Sequence, residues 1–428
     1  MRVIHLSTYM DGGAAIAARR IHYSLLQGKI DSNFVYLDDS GNSLNQFAFP
    51  DNQSCYYSSN SQVFKFLRSI AYKLYYLQYC YYLVGRPKQY ELFSLPGHLL
   101  NTKADDIISG QDILHLHWIA EKIDYNSFFS TIPDSFPIVW TLHDMNPFTG
   151  GCHYSWECNR YKKSCGNCPQ LNNSSLLDAS VKNFRKKREA LKKKNLHIVA
   201  DSYWLQKESQ NSPIFEFANS FQTIHYGIDT SIFFPNNKRK AKNDLNLDPQ
   251  KTVISFGAIN ISNLRKGGQI LLNALKYFQD QEDLLFLSFG TTNIPFSAGK
   301  LEHHNFNYVK DERLLATIYS ASDIFVIPSI YEAFGQTCLE AMSCSTPVIG
   351  SETGGIPDMI IDKITGLLVK PNDTKSLVTA IDFLIKNQDI RKLMGERAHE
   401  RVMRNFNFQT QANKYKKLYK KILELPGA

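Results

Sequence analysis

The stretch Pro328-Ser329-Ile330-Tyr331-Glu332-Ala333-Phe334-Gly335-Gln336-Thr337-Cys338-Leu339-Glu340-Ala341 decides how the rest of the chain is read. The apolar run from Ile324 that ends at Pro328 has the length and continuity of a strand buried on both faces. A loop carrying Glu332 follows, then a glycine turn, then a helix containing Glu340. The amides of Gly335, Gln336 and Thr337 fall at that helix's N-terminus, where unpaired N–H donors and a partial positive charge suit a diphosphate. A carboxylate beside such an anion is repelled unless it faces something else. Glu332 and Glu340 are therefore expected to face hydroxyls, and a carboxylate accepting from two vicinal hydroxyls grips a ribose.

Outward from this stretch the same rhythm repeats. Val253 to Gly257, Leu284 to Gly290, Pro347 to Gly350 and Gly366 to Val369 are short apolar runs, with helical segments at Gln269 to Phe278 and Asp311 to Ser320. Two long helical segments finish the chain from Thr374 onward. The first half shows the runs Val3 to Ser7, Phe34 to Leu37, Ile113 to His117, Ile138 to Leu142, His197 to Ala200 and Phe221 to Tyr226. Gly12 and Gly13 open a helix there that stops at Gly28. Short apolar strands alternating with helices predict a mostly parallel sheet covered on both faces. A polar, basic stretch from Asn236 to Lys251 separates the halves. A chain of 428 residues exceeds what one core usually serves. The expected class is α/β, with two doubly wound Rossmann-like domains facing a cleft. Residues 1–228 form the first, residues 229–405 the second, and residues 406–428 a terminal helix returning to the first. Ligands of such folds bind outside the carboxyl ends of the strands, so the crevice between the halves is the expected site.

The residues around the two glutamates carry a resemblance. Glu332 and Glu340, with Glu-Ala-Phe-Gly-Gln-Thr-Cys-Leu-Glu-Ala-Met between and after them, resemble the E-x7-E signature of family-4 retaining glycosyltransferases of GT-B fold. Pro347-Val348-Ile349-Gly350, Thr353-Gly354-Gly355-Ile356-Pro357-Asp358 and Gly366-Leu367-Leu368-Val369 are similar to the same family. Leu264-Arg265-Lys266-Gly267-Gly268 resembles its basic Lys-Gly element, which implies that Lys266 neutralises a donor diphosphate. One departure is visible. Many members carry an arginine soon after the glycine matched by Gly257, and here Ala258 follows, so Arg265 is the candidate for the second charge. In the first half, Gly12-Gly13-Ala14 looks like the family's glycine-rich loop, and Trp140-Thr141-Leu142-His143-Asp144 like its T-x-H element.

The resemblance implies a set of roles. His143, Lys266 and Glu332 would be catalytic, and Gly13, Arg265, Lys266, Phe334, Gly335, Gln336, Thr337 and Glu340 would bind the donor, a UDP- or GDP-sugar. His143 would hydrogen-bond the donor sugar, and His117 is a weaker candidate beside it. Retention implies an oxocarbenium-like transition state with charge growing on the leaving phosphate, which Lys266 and the helix N-terminus would stabilise. The leaving phosphate would help deprotonate the acceptor, so no catalytic metal or other cofactor is expected. The acceptor would be a glycan or a lipid-linked glycan in bacterial surface polysaccharide synthesis. A phosphorylase or sucrose-synthase-like activity on the same fold, and a non-catalytic nucleotide-sugar sensor, are the alternatives.

Cysteine usage singles out one loop. Cys152, Cys158, Cys165 and Cys168 lie between Thr149 and Gln170, spaced C-x5-C-x6-C-x2-C. The terminal C-x2-C is a common half of a zinc site. Structural zinc, packed reduced thiols and disulfides remain open, and His153 could substitute as a ligand. The loop also resembles an insertion in family-4 enzymes tied to surface polysaccharides. Cys55, Cys80, Cys338 and Cys344 read as small buried hydrophobes.

The formal net charge of +8 is modest, and no arginine-and-aromatic module argues for nucleic acid. Basic residues concentrate at 182–194, with Lys182, Arg185, Lys186, Lys187, Arg188, Lys192, Lys193 and Lys194. That run is either a solvated helix face or a surface for anionic lipid. The segment 61–90 mixes Phe64, Phe66, Tyr72, Tyr75, Tyr76, Tyr79, Tyr81 and Tyr82 with Lys65, Arg68, Lys73 and Arg86. It reads as an amphipathic helix on the first domain or as one approaching a membrane. No apolar run is long enough to span a bilayer, and the apolar start at Val3 is too short for a signal peptide. The expected location is cytoplasmic, at the inner face of the membrane.

Overall fold

The structure is a computed structural model. It describes residues 1–37, 43–48, 52–58, 73–74, 76–77, 79–96, 104–291, 297 and 299–424, and of 37, 43–48 and 52–58 it describes the backbone alone. The chain divides into two compact units, Met1–Ile224 with Gln411–Ala428, and His225–Thr410.

The first unit is built on β1 (Arg2–Ser7), β2 (Asp31–Leu37), β3 (Ser43–Ala48), β4 (Asn52–Ser58), β5 (Ile113–Leu116), β6 (Ile138–Leu142), β7 (Leu196–Ala200) and β8 (Ser220–Thr223). They form one sheet in the order β4-β3-β2-β1-β5-β6-β7-β8. The six strands from β2 to β8 are parallel, and β3 and β4 add an antiparallel edge beside β2. Val3, Ile4, Leu6, Leu114, Leu116, Val139, Trp140 and Val199 are all buried, as a parallel sheet covered on both faces requires. The last helix, Phe408–Leu423, lays Ala412, Tyr415, Tyr419 and Ile422 inward and leaves Lys416, Lys417, Lys420 and Lys421 exposed. That spacing is the apolar stripe of an amphipathic helix.

The second unit contains β9 (Thr252–Asn260), β10 (Leu284–Thr291), β11 (Glu302–Asn305), β12 (Ile324–Ile327), β13 (Val348–Ser351) and β14 (Gly366–Val369). Their order is β11-β10-β9-β12-β13-β14, and all pairs are parallel. The α/β class with two Rossmann-like parallel sheets is therefore as the sequence implies.

Three local readings are corrected. The stretch Asn236 to Lys251 is not a plain linker: it lies in the second unit and folds into the helix Lys238–Asp244, capped by the Asn237 side chain accepting from the Lys240 amide. Thr374 onward carries three helices, Thr374–Lys386, Gln388–Asn405 and Phe408–Leu423, because Asn387 and Phe406-Asn407 break the run. Cys80 is exposed, whereas Cys338 and Cys344 are buried as expected; the Cys55 side chain lies outside the described residues.

Candidate active site

In the second unit the chain folds the basic Lys-Gly element against the glutamate loop. Gly267 adopts φ +70°, and a Cβ there would stand 1.9 Å from the Pro328 carbonyl oxygen, so only glycine permits the approach. The two loops are tied by one backbone bond and one side-chain bond to the backbone. The Ile330 amide donates to the Arg265 carbonyl at 2.7 Å, and the Arg265 guanidinium donates to the Tyr331 carbonyl at 2.8 Å.

This places Lys266 Nζ 2.7 Å from Glu332 Oε2, with Arg265 at 3.5 Å and the Ser329 hydroxyl donating at 3.2 Å. Burial works against an ionised Glu332. Lys266 and Arg265 outweigh it, and the carboxyl is held below its ordinary range. The sequence reading gave Glu332 to a sugar hydroxyl and Lys266 to phosphate, and here the two side chains face each other. An ammonium carries three N–H donors, and Glu332 takes one of them.

Gly354, at φ +55°, brings its backbone so close to Glu332 that a Cβ would lie 1.6 Å from the Glu332 carbonyl oxygen. The Gly355 amide donates to that carbonyl at 3.1 Å. Glu332 is thus fixed from both main chain and side chain.

The helix Gln336–Ser343 starts at Gly335, which has φ +101° and supplies no side-chain cap. The Glu332 Cγ lies 3.5 Å from where a Gly335 Cβ would stand. The carboxylate pair and the helix start are therefore one assembly. Glu340 is buried on this helix, and the Tyr319 hydroxyl donates to its Oε2 at 2.8 Å. Gln336 and Thr337, in the first turn, are partly exposed. The Phe334 ring is buried against Tyr226 (centroids 5.0 Å apart), His225 and Phe406, so it is part of the core. Any donor contact at Phe334 would use its backbone.

In the first unit, the helix Gly13–Gln27 begins after Gly12, at φ +94°, again with no side-chain cap. His143 follows β6 and Asp144 comes next. His143 Nε2 lies 3.0 Å from His117 Nδ1, and His117 Nε2 lies 2.8 Å from His5 Nδ1. His115 bonds Tyr419 Oη and Thr141 Oγ1, both at 2.7 Å. Burial pushes His5, His115 and His117 well below the ordinary histidine value. Burial likewise pushes His143 down to about 4, with Asp144 pulling the other way. All four rings are neutral at pH 7. A neutral imidazole has one N–H and one lone pair, so the proton direction in one bond sets it in the next. The sequence reading found His143 and His117 but not His5, Tyr415 or Tyr419. Only a buried histidine within β1 hinted at the network.

The cysteine loop follows directly. Asp144 accepts from Trp118 Nε1 at 3.0 Å and pairs with His153 Nδ1 at 2.7 Å, while His153 Nε2 bonds the Ser94 hydroxyl. Both His153 nitrogens are engaged, so His153 is not available as a substitute ligand, contrary to the sequence reading. The four cysteines line one pocket, with Cys152 and Cys168 buried and none in a disulfide.

Comparison with known proteins bears on the fold and on the second unit. Residues 237–401 match the family described as Glycosyl transferases group 1. That match falls within the second unit, and the two-sheet α/β architecture is that of GT-B glycosyltransferase structures. It is 24% identical to N-acetyl-alpha-D-glucosaminyl L-malate synthase of Bacillus anthracis, over 78% of this chain and 82% of that one. It is 30% identical to D-inositol 3-phosphate glycosyltransferase of Corynebacterium jeikeium, covering 49% of this chain and about half, 53%, of that relative. Among solved structures, sucrose-phosphate synthase from Thermosynechococcus elongatus superposes with a TM-score of 0.64 at 19% identity over 99% of both chains. An Anabaena protein solved in complex with UDP and glucose gives 0.61 at 14% identity, over 98% of this chain and all of that one. At these identities the structural likenesses concern fold.

Proposed function

We propose that the chain transfers a hexose-type sugar from a UDP- or GDP-sugar, with retention, to a hydroxyl of a glycan or lipid-linked glycan in bacterial polysaccharide synthesis. The observation that carries this reading is the Lys266–Glu332 pair built against the glycine-started helix Gln336–Ser343, with Glu340 held by Tyr319. A nucleotide-sugar would place its diphosphate at the helix N-terminus and Lys266, and its ribose at Glu340. Lys266 would then stabilise charge on the leaving phosphate where it develops. Neutral His143 would hydrogen-bond the sugar. The related fold that was solved with UDP and glucose is consistent with such a donor.

A thermal-shift screen of UDP- and GDP-sugars tests the donor. A ligand at about 100 times its Kd stabilises by about 2.7 kcal/mol, so one series should raise Tm and release nucleotide on turnover. No shift with any nucleotide-sugar, or sugar phosphate formation from glycan and inorganic phosphate, would overturn the assignment.

The membrane reading rests on two surfaces of the first unit. Leu74, Leu77, Tyr81 and Val84 are each at least 63% exposed at near-helical spacing; residues 61–72, 75 and 78 lie outside the described residues. In the basic run, Lys186, Arg188 and Lys194 pair with Asp124, Glu216 and Asp134, and Lys187 is buried. Lys182, Arg185, Lys192 and Lys193 remain exposed for lipid. No helix among the described residues is long and apolar enough to cross a membrane. Co-sedimentation with anionic vesicles, lost in zwitterionic vesicles and at high salt, is the expected result. Equal recovery in the supernatant with both lipids would remove the idea.

A further inference from the structure

A row of histidines crosses one face of the first unit's sheet. β1 and β5 pair His5 with His115, so His117, two positions on, lies on the same face and nearer the carboxyl end. Leu116 pairs with Trp140 of β6, which puts His143 a step further along. The row His5, His117, His143 thus climbs from within β1 to just past the end of β6.

Its two contacts are in line. His5 Nδ1 and His117 Nε2 are 2.8 Å apart, with ring centroids 5.1 Å apart and planes 13° from parallel. His117 Nδ1 and His143 Nε2 are 3.0 Å apart, with centroids 5.3 Å apart. In both pairs the centroid separation is the nitrogen contact plus two ring radii. The rings therefore meet edge to edge, along the direction of an N–H and a lone pair. His5, His115 and His117 also bring donor atoms within 4.8 Å of one another. His117 spends both nitrogens within the row, however, and His115 spends both on Tyr419 and Thr141, so no three lone pairs turn toward one centre.

Each neutral ring has one N–H and one lone pair. Both contacts join an Nδ1 to an Nε2, so each holds one proton and all three rings must carry the same tautomer. The remaining proton stands at one end of the row, on His5 Nε2 or on His143 Nδ1. His5 Nε2 is buried without a hydrogen-bond partner, and Phe34 and His22 flank its ring. The rings can change tautomer only together. A preference that would leave a lone histidine mixed is multiplied over three rings and leaves the row in one state.

We propose that His117 and His5 are positioning residues that fix the tautomer of His143, and so decide whether its Nδ1 donates to the sugar or accepts from it. The link to the sugar rests on the function proposed above; the tautomer lock itself does not.

The test uses the full-length protein with isotope-labelled histidine rings, without donor, and long-range proton–nitrogen spectra that assign each tautomer. His5, His117 and His143 should show one and the same tautomer. His115, whose hydroxyl partners can donate or accept, is under no such constraint and is the control for burial. His117→Phe should leave His143 with mixed tautomers and lower kcat/KM by about tenfold, the worth of one neutral hydrogen bond. His5→Phe keeps a ring beside Phe34 but leaves two coupled rings, so the minor tautomer of His143 should rise, with a smaller loss of rate. A merely structural role would lower Tm without moving the His143 spectrum. Opposite tautomers within the wild-type row, or a His143 spectrum unchanged in both variants, would overturn the proposal. The wild-type spectra need neither a folded variant nor a donor, so the lock can fail while sugar transfer stands; a uniform row with no nucleotide-sugar bound would support the lock and remove its link to a sugar.

Discussion

Lys266→Ala lowers kcat/KM by about 10²–10³-fold, equivalent to about 2.7–4 kcal/mol of transition-state stabilisation. The magnitude follows from where the charge sits. Lys266 is held 2.7 Å from a buried, ionised Glu332, so its ammonium is oriented before any ligand arrives and costs no reorganisation during the reaction. On the proposed function, removing it takes away the counter-charge of the donor diphosphate, and among the described residues it leaves Glu332 with Arg265, at 3.5 Å, as its ion-pair partner. The Glu332 carboxyl then rises from its depressed pKa toward neutrality, because burial already opposes ionisation. The fold should survive, since the Lys266 side chain is 26% exposed and Gly267 still seats the loop. The check is initial-rate nucleotide release with donor varied, alongside a melting curve. A variant with wild-type kcat/KM would remove Lys266 from the chemistry; a collapsed Tm would show that its role is structural.

The pattern of apolar runs was enough to place most parallel strands, because a strand buried on both faces must be apolar throughout. What escaped is where burial is partial. β11 is Glu302-His303-His304-Asn305, an edge strand with a wholly polar sequence, and nothing in its composition demands a sheet. The antiparallel pair β3 and β4 begins with Ser-Leu-Asn-Gln, in which Leu44 is the one apolar residue. The helix Lys238–Asp244 was hidden by its lysines, although Asn237 offered a cap signal. Within the site, motif residues were found because they are close in sequence, and their partners were missed because they are not. Tyr319 reaches Glu340 across 21 positions, Lys266 reaches Glu332 across 66, and His5 reaches His117 across 112. Spacing alone assigned Lys266 and Glu332 to different groups of a ligand, where the fold first gives them to each other.

Asp323→Ala destabilises the second unit by about 3–5 kcal/mol, the cost of leaving a buried charge without its partner. Asp323 closes the start of β12. Its Oδ2 accepts from Lys242 at 2.8 Å and from the Val253 amide at 2.9 Å, with Lys238 at 3.7 Å and Arg391 at 3.9 Å from Oδ1. Lys242 and Arg391 are buried with it and keep only carbonyl acceptors, at Lys251 and Leu384, so alanine removes their counter-charge and the side-chain acceptor of the Val253 amide. For a unit of this size, that energy corresponds to a fall in Tm of roughly 6–20 °C.

The pH dependence has a definite sign. Burial alone would raise the Asp323 pKa, but Lys238 and Lys242 hold it below the ordinary value. A depressed carboxyl pKa stabilises the fold above the unfolded pKa of about 3.9, and that contribution is lost as pH falls below it. Denaturant midpoints at neutral pH should therefore separate wild type from Asp323→Ala widely, and the gap should narrow below about pH 4. Lys242→Met in an Asp323→Leu background should recover part of the loss, because an apolar pair needs no counter-charge. A gap that stays constant with pH, or no recovery in the double variant, would mean that lost packing rather than the buried charge sets the stability of this corner.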